Sequence, residues 1–273
     1  MPEGRTSGRP SERPGDRQFV TALARGLDIL RCFQAGDPAL TNQEIAERTG
    51  LPKPTVSRLT HTLRELGYLT FSRRTGAYQL GAGVLALGYA MIAALEIREH
   101  VRPYMDELAG MANVTVALGA RDRLSVVYLD VRRGAQTISL SRNVGSRQPL
   151  ATTAIGRAIL AALPEPEREY LLRALREREP DTFRQVERGI RRACDELAER
   201  GFCASFGDWL PDVNAVGAPL LSVDGEHLYG LNAGGPAFLV PPEILVEQLG
   251  PRLARITREL SGPRLGQRDG GGW

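Results

Sequence analysis

The chain has 273 residues, 42% of them hydrophobic, with 35 Lys+Arg against 32 Asp+Glu, so it is long enough for two cores and nearly balanced in charge. It holds no apolar run of 18 residues and no signal-peptide core, which excludes a helical membrane span and points to a cytoplasmic protein. Cys32, Cys194 and Cys203 are far apart with no CxxC, and His61, His100 and His227 are scattered, so buried free thiols are expected and no disulfide framework, metal site or cofactor.

Residues 1–18, rich in Gly, Pro, Arg and Ser, read as a disordered basic arm. Leu23, Leu27, Leu30 and Phe33 then mark a first helix at helical spacing. Thr41 with Glu44 three residues on forms a capping box, and Gly50 ends that second helix through a left-handed residue. A third helix is expected over 52–66, with Pro54 in its first turn, where its missing N–H costs nothing. Val56, Leu59, Leu63 and Leu66 form its core stripe. Its other face carries Lys53 (the only lysine in the chain), Thr55, Ser57, Arg58 and His61. In a helix-turn-helix such short polar and basic groups meet base edges and phosphates, and Thr41, Asn42 and Gln43 at the start of the preceding helix join them.

Residues 68–71 and 77–80 read as short strands around Arg73-Arg74-Thr75-Gly76, a wing whose two guanidinium groups suit phosphate or a narrow minor groove. Residues 1–80 hold 12 basic against 8 acidic residues and the rest 23 against 24, so the excess positive charge lies with this unit. The reader is assigned to 19–81.

Gly81-Ala82-Gly83-Val84-Leu85-Ala86 matches GxGxxA, but no βαβ unit surrounds it, so nucleotide binding is not expected here. An apolar stretch from Gly83 to about His100 reads as one helix, broken or restarted at Pro103, with a second helix to about Met111. Leu85, Tyr89, Ile92 and Leu95 cover more of its surface than one small domain needs, so residues 82–100 are expected to be a linker helix that packs on a partner chain.

Strands are expected at 114–118, 124–129 and 137–140, then helices at 153–162, 165–176 and 182–200, the last capped by Gly201. Further strands follow near 202–206, 215–222 and 229–233, with a final helix over 242–260. Antiparallel strands with segregated helices make residues 101–262 an α+β sensor-like domain, and residues 263–273 a disordered tail.

At this point the chain resembles the IclR family of bacterial transcriptional regulators over nearly its whole length. The resemblance rests on ALARGLDILRCF, LTNQEIAERTGLPKPTVSRLTHTLRELGYL, AYQLG, QPLATTAIGRAILAAL, GFCASFGDWLPDVNAVGAPL and LNAGGPAFLVPPEIL. It implies an N-terminal winged helix-turn-helix, a linker helix and a C-terminal GAF-like effector-binding domain. It also implies a homodimer or dimer of dimers on double-stranded DNA, with a small organic acid modulating affinity. Thr152, Thr153 and Ala154, at a helix start, suit a carboxylate. Ser205, Asn214, Ala215, Asn232 and Gly234 complete the expected effector site, and Gly235 allows close backbone approach.

Where glyoxylate-type regulators of this family carry an acidic residue, a cysteine and two serines, this chain has Ser205, Ala215, Asn232 and Gly234, and Ala151 replaces the pocket-loop histidine. That departure points away from glyoxylate and toward a larger effector, such as an aromatic acid or an acyl derivative. The expected mechanism places two recognition helices in successive major grooves of a pseudo-palindromic operator, with linker helices relaying effector binding. Two other readings stay open: a winged-helix protein-interaction module, and a hydrolase using Cys203 or Ser205. The second lacks a GxSxG elbow or an SxxK motif, so no catalytic residues are expected.

Overall fold

A computed structural model describes residues 18–135 and 142–262, and the chain divides after Ala94 into two compact units. The expected arm up to Arg17, the expected strand at 137–140 and the tail lie outside the described residues.

The first unit opens with α1 (Thr21–Arg31). Its core residue is Ile29, whereas Leu23 and Leu27 of the expected stripe face outward. A two-residue strand β1 (Leu40–Thr41) leads into α2 (Asn42–Thr49), which begins with the expected capping box and ends at Gly50 with φ 67°. In the box the Glu44 amide donates to Thr41 Oγ1, and the Thr41 amide and hydroxyl donate to Glu44 Oε2. α3 (Lys53–Glu65) follows with Pro54 in its first turn. Its buried stripe is Val56 and Thr60, flanked by Leu59 and Leu63, while Leu66 is the C-cap and 63% exposed. The four-residue step from Val56 to Thr60 keeps the same face. Thr60 is tolerated there because its hydroxyl donates to the Val56 carbonyl at 2.9 Å.

The wing is β2 (Leu69–Ser72) paired antiparallel with β3 (Ala77–Leu80), and β1 adds to the other edge of β3. Ile29, Leu40, Ile45, Val56, Leu69 and Tyr78 make this unit's core. α4 (Ala82–Ala93) comes next. The GxGxxA match has a packing explanation: a Cβ on Gly81 would come within 2.3 Å of the Gly67 carbonyl oxygen.

The expected single linker helix is two helices. α4 stops at Ala93, Leu95 has non-helical ψ 87°, and α5 (Glu96–Ala112) runs through Pro103 without breaking. Ile97, Val101, Met105 and Leu108 form its buried stripe, and Pro103 lies on the exposed side. The carbonyl that the proline leaves without a donor therefore faces water, and burial of the stripe outweighs the local cost.

The second unit is a six-stranded antiparallel sheet in the order β6-β5-β4-β9-β8-β7. Its strands are β4 (Thr115–Asp122), β5 (Ser125–Arg133), β6 (Arg147–Pro149), β7 (Cys203–Phe206), β8 (Val213–Leu221) and β9 (Leu228–Pro236). Most outrun the sequence expectation, and β6 was not expected as a strand. It is short, and its identity comes from pairing with β5. Between β6 and β7 lie α6 (Ala154–Ala162), α7 (Glu165–Arg178) and α8 (Phe183–Arg200). After β9, a helical run from Pro242 to Leu260 comprises α9 (Pro242–Ile244), a π-helical stretch Leu245–Leu249, and α10 (Gly250–Leu260).

One sheet face packs on α5 and α10, and the other on α6, α7 and α8. The second face is lined by glycines where α6 crosses. A Cβ on Gly217 would lie 2.5 Å from the Ala154 carbonyl oxygen, and one on Gly230 would lie 2.6 Å from Ile155. Glycine there lets the helix start approach the sheet backbone directly, which is how the candidate effector site is brought together.

Candidate functional site

In the reader, α3 displays Lys53, Ser57, Arg58 and His61 to solvent, with Thr55 half-buried, and Arg73 and Arg74 are exposed at the wing tip. None of Lys53, Arg58, Arg73 and Arg74 is drawn into an ion pair among the described residues, so their charge is available to phosphate. The groups expected from α2 are partly committed within the unit. Thr41 is used in its cap, Asn42 Oδ1 lies 3.4 Å from the Thr60 hydroxyl oxygen, and Gln43 donates to Glu47 at 3.0 Å. His61 Nδ1 lies 3.3 Å from the Arg64 guanidinium. Below the reader, Arg48 grips Asp37 at 2.5 Å and the Cys32 carbonyl at 3.0 Å, tying α2 to the end of α1. The Arg48 hydrogen bond holds the Asp37 carboxyl below the usual range.

In the second unit, cross-strand register brings Ser205 opposite Ala215 and Ala215 opposite Gly234. Asn232 lies two residues along β9, opposite Gly217 and Ala117. These residues share the sheet face covered by α6, as alternation along each strand requires. Ser205 Oγ donates to the Thr152 carbonyl at 2.8 Å, closing β7 against the turn before α6. Thr153 is the N-cap of α6: its hydroxyl accepts from the Gly156 amide at 3.2 Å and donates to the Pro149 carbonyl at 2.7 Å. Thr152, Thr153, Ala154, Ser205, Ala215, Asn232 and Gly234 are thus gathered.

Asn214 is not. It is the strand neighbour of Ala215 and so faces the opposite side, where its Nδ2 donates to the Val240 carbonyl at 3.1 Å. The sequence placed it just before the strand, free to join Ala215, but β8 starts at Val213, so Asn214 lies within the strand and alternation sends it to the other face.

The sequence reading missed four residues of this region. Tyr128 on β5 is buried, takes a hydrogen bond from Asn232, and burial pushes its phenol up to about 12. The Oδ1 of Asn232 is buried and has no partner. Arg142 stacks over the Trp209 ring at 5.2 Å, and its charge acts on Tyr128. Arg157 of α6 is 2% exposed and donates to Asp208 at 2.6 Å, to the Ala151 carbonyl at 3.1 Å and to the Ala204 carbonyl at 3.4 Å. It fixes the loop that carries Trp209 to the start of α6. A basic residue inside an otherwise apolar helix, AIGRAILAA, was the signal for it.

A separate cavity of about 320 Å³ lies at the other end of α6, lined by Arg121, Ile159, Leu163, Glu167, Glu226 and Tyr229 among others. There Arg168 donates to the helix-end carbonyls of Ala161 and Leu163, and Arg121 pairs with Glu167, so the cavity's cations are already committed. Asp224, Glu226 and His227 place ligand-type atoms within 4.8 Å of one another on the exposed β8–β9 turn. There Asp224 already accepts from the Ser222 hydroxyl and the Glu226 amide.

Neither imagined nucleophile is activated. The Cys203 thiol is fully buried against the Ala154 carbonyl, and burial pushes it up to about 12, so thiolate is not available. The Ser205 hydroxyl donates to a backbone carbonyl and not to a base.

A winged helix-turn-helix with free cations on its recognition helix, joined to an α+β domain with polar groups gathered beside a helix start, defines a ligand-responsive DNA-binding regulator. Similarity to known proteins gives the family. Residues 22–73 match the IclR helix-turn-helix domain and residues 89–259 match the bacterial transcriptional regulator IclR C-terminal domain. The chain belongs to the IclR family of transcriptional regulators, and it is a DNA-binding regulator rather than an enzyme. It is 36% identical over 244 residues to the HTH-type transcriptional regulator TsaQ1/TsaQ2 of Comamonas testosteroni, covering 89% of this chain and 87% of that one. It is 30% identical over 251 residues to the Pca regulon regulatory protein of Pseudomonas putida, covering 90% of this chain and 84% of that one. Among solved structures, an IclR family regulator from Brucella abortus is 49% identical, with a TM-score of 0.84 over 93% of this chain and 95% of that one.

Proposed function

We propose that this regulator binds a pseudo-palindromic operator as a dimer joined through α4, and that a small organic acid bound beside the start of α6 changes its affinity for DNA. The observation that carries the dimer is α4 itself. Its sequence AGVLALGYAMIA is apolar all round, none of its residues is buried within the chain, and Leu85 and Tyr89 are 75% and 70% exposed. A helix of that composition needs an apolar neighbour, and a second α4 related by a two-fold axis supplies one. The same axis sets two recognition helices at a fixed spacing, as a palindromic site requires. Lys53, Thr55, Ser57, Arg58 and His61 would face the major groove, with Arg73 and Arg74 on flanking backbone.

Sedimentation of the full chain tests the dimer. Leu85→Glu with Tyr89→Glu should yield monomers that bind a duplex selected from a random pool at least tenfold more weakly. A double variant that remains dimeric removes α4 as the interface. Arg58→Ala should lower affinity for the same duplex and flatten its salt dependence by about one ion. Unchanged affinity and slope would take Arg58 out of the DNA interface and count against α3 as the recognition helix. By linkage, an acid that weakens DNA binding must itself bind more weakly, by the same factor, to the DNA complex.

A further inference from the structure

The groups gathered at the start of α6 are largely spoken for. Thr153 caps its own helix and bonds Pro149, the Thr152 carbonyl accepts from Ser205, and the backbone of Gly217 is pressed against Ala154 and Ile155. A Cβ added at Gly217 would meet the Ile155 amide nitrogen at 3.0 Å, which leaves no room for a carboxylate on that side of the first turn. The negative charge of an acid must be met by something else.

Besides the buried Gln148 amide, whose Nε2 and Oε1 lack partners among the described residues, two groups nearby are not spoken for. Arg142 is half-buried, sits over the Trp209 ring at 5.2 Å, and forms no ion pair among the described residues; Asp208, beside Trp209, is held by Arg157 and Arg192 instead. The stretch between β5 and Arg142, residues 136–141, contains no acidic residue in its sequence QTISLS. A half-desolvated guanidinium over an indole, with no carboxylate of its own, has the chemistry to pair with a ligand's carboxylate. The second free group is Asn232 Oδ1, a buried acceptor without a donor, on an amide whose Nδ2 is engaged by the Tyr128 oxygen. An unsatisfied buried acceptor is costly, and a ligand donor removes that cost.

We infer that Arg142, braced by Trp209, is the counter-ion of the effector carboxylate, and that the Tyr128–Asn232 pair selects an acid that also carries a hydroxyl donor. This rests on the reading of an acid-binding site beside α6. It narrows the effector class from organic acids in general to hydroxy acids. Tyr128 keeps Asn232 oriented by holding its amide nitrogen, so the carbonyl oxygen is the end presented to the ligand. Asn232 is therefore the specificity residue and Tyr128 its positioning partner. Arg157 acts at one remove, by fixing the Asp208–Trp209 loop on which Arg142 lies.

The test is calorimetry of the full chain against acids offered with and without the hydroxyl: 4-hydroxybenzoate against benzoate, and 4-hydroxybutyrate against butyrate, with 4-hydroxybenzyl alcohol lacking the carboxylate. Within the pair that binds, the hydroxy acid should bind about tenfold more tightly than its parent, the worth of one good hydrogen bond. Arg142→Met should weaken both acids tenfold or more and leave the alcohol unchanged. Asn232→Leu should erase the difference between hydroxy acid and parent, and Tyr128→Phe should reduce it while carboxylate binding persists. Asn232→Ser serves where the leucine variant does not fold, and unaltered affinity for selected DNA controls for misfolding. If acids bind but Arg142→Met has no effect while Thr153→Val weakens them, the carboxylate lies on the helix start and this inference falls, although the acid site stands. If parent acids bind as tightly as hydroxy acids, the donor-selecting role falls. If no probe binds or alters DNA affinity, both the inference and the site reading are overturned.

Discussion

Replacing Asp208 by asparagine should destabilise the second unit more than replacing its buried partner Arg157 by methionine. The Arg157 side chain is 2% exposed and Asp208 is 23% exposed, so the two ends of this ion pair are differently placed toward water. In Asp208→Asn the guanidinium stays buried with two carbonyls, Ala151 and Ala204, and no counter-charge. Arginine keeps its charge when stranded, and an uncompensated buried ion costs about 3–5 kcal/mol. In Arg157→Met the long apolar side chain fills most of the vacated space. Asp208 keeps water and Arg192 at 3.0 Å, and the main loss is the donor to the Ala151 carbonyl, about 1–3 kcal/mol. The double variant should cost about as much as Arg157→Met alone, because it removes the stranded charge. Urea unfolding followed through Trp209, the residue after Asp208, measures all three differences from the midpoints at equal slope. If Asp208→Asn costs no more than Arg157→Met, or if the double variant is the least stable, burial of an unpaired charge is not what governs this site.

In the reader, Thr41→Ala should destabilise by about 1 kcal/mol, seen as earlier amide exchange in α2, because it removes the acceptor of the Glu44 amide; protection unchanged from wild type would mean the cap is idle. Acid stability should depend on Asp37. Its carboxyl is held below the usual value by the Arg48 hydrogen bond, so its contribution is fully present above about pH 4 and is lost as pH falls through the folded value. The pair is near the surface and worth within about 1 kcal/mol, and Arg48→Met should remove that part of the acid limb; identical limbs would refute it. Burial raises the thiols of Cys32 to about 11 and Cys203 to about 12, so neither should react with an aromatic disulfide reagent at pH 8 until urea is added. Prompt labelling of Cys203 in the native protein would reopen the question of an active thiol.

Local chemistry determined much of the reader. The Thr41–Glu44 box, the Gly50 stop, the proline in the first turn of α3 and the turn between two short strands act within a few residues, so their sequence suffices to specify them. Charge at the wing and on α3 was equally legible, because exposed cations need no partner to be placed. The same holds for the order of most helices and strands in the second unit, where runs of apolar residues of different period announce each element except the short polar β6.

The tertiary structure decided what depends on a neighbour. Pro103 looked like a break, yet burial of Ile97, Val101, Met105 and Leu108 carried α5 through it, and the chain parted instead at Leu95. Leu23 and Leu27 fit a helical stripe, but packing chose Ile29. The candidate effector site shows the limit most clearly. Asn214 was read as lying before β8 and free to share a site with Ala215, but β8 takes it in, and adjacent side chains in a strand point to opposite faces. Tyr128, Arg142, Trp209 and Arg157 are spread over more than eighty residues of sequence and meet only because the sheet closes on a glycine-lined face under α6. Sequence determined the parts whose energetics are local, and the fold alone decided which distant side chains share a face, because that is settled by long-range pairing and burial.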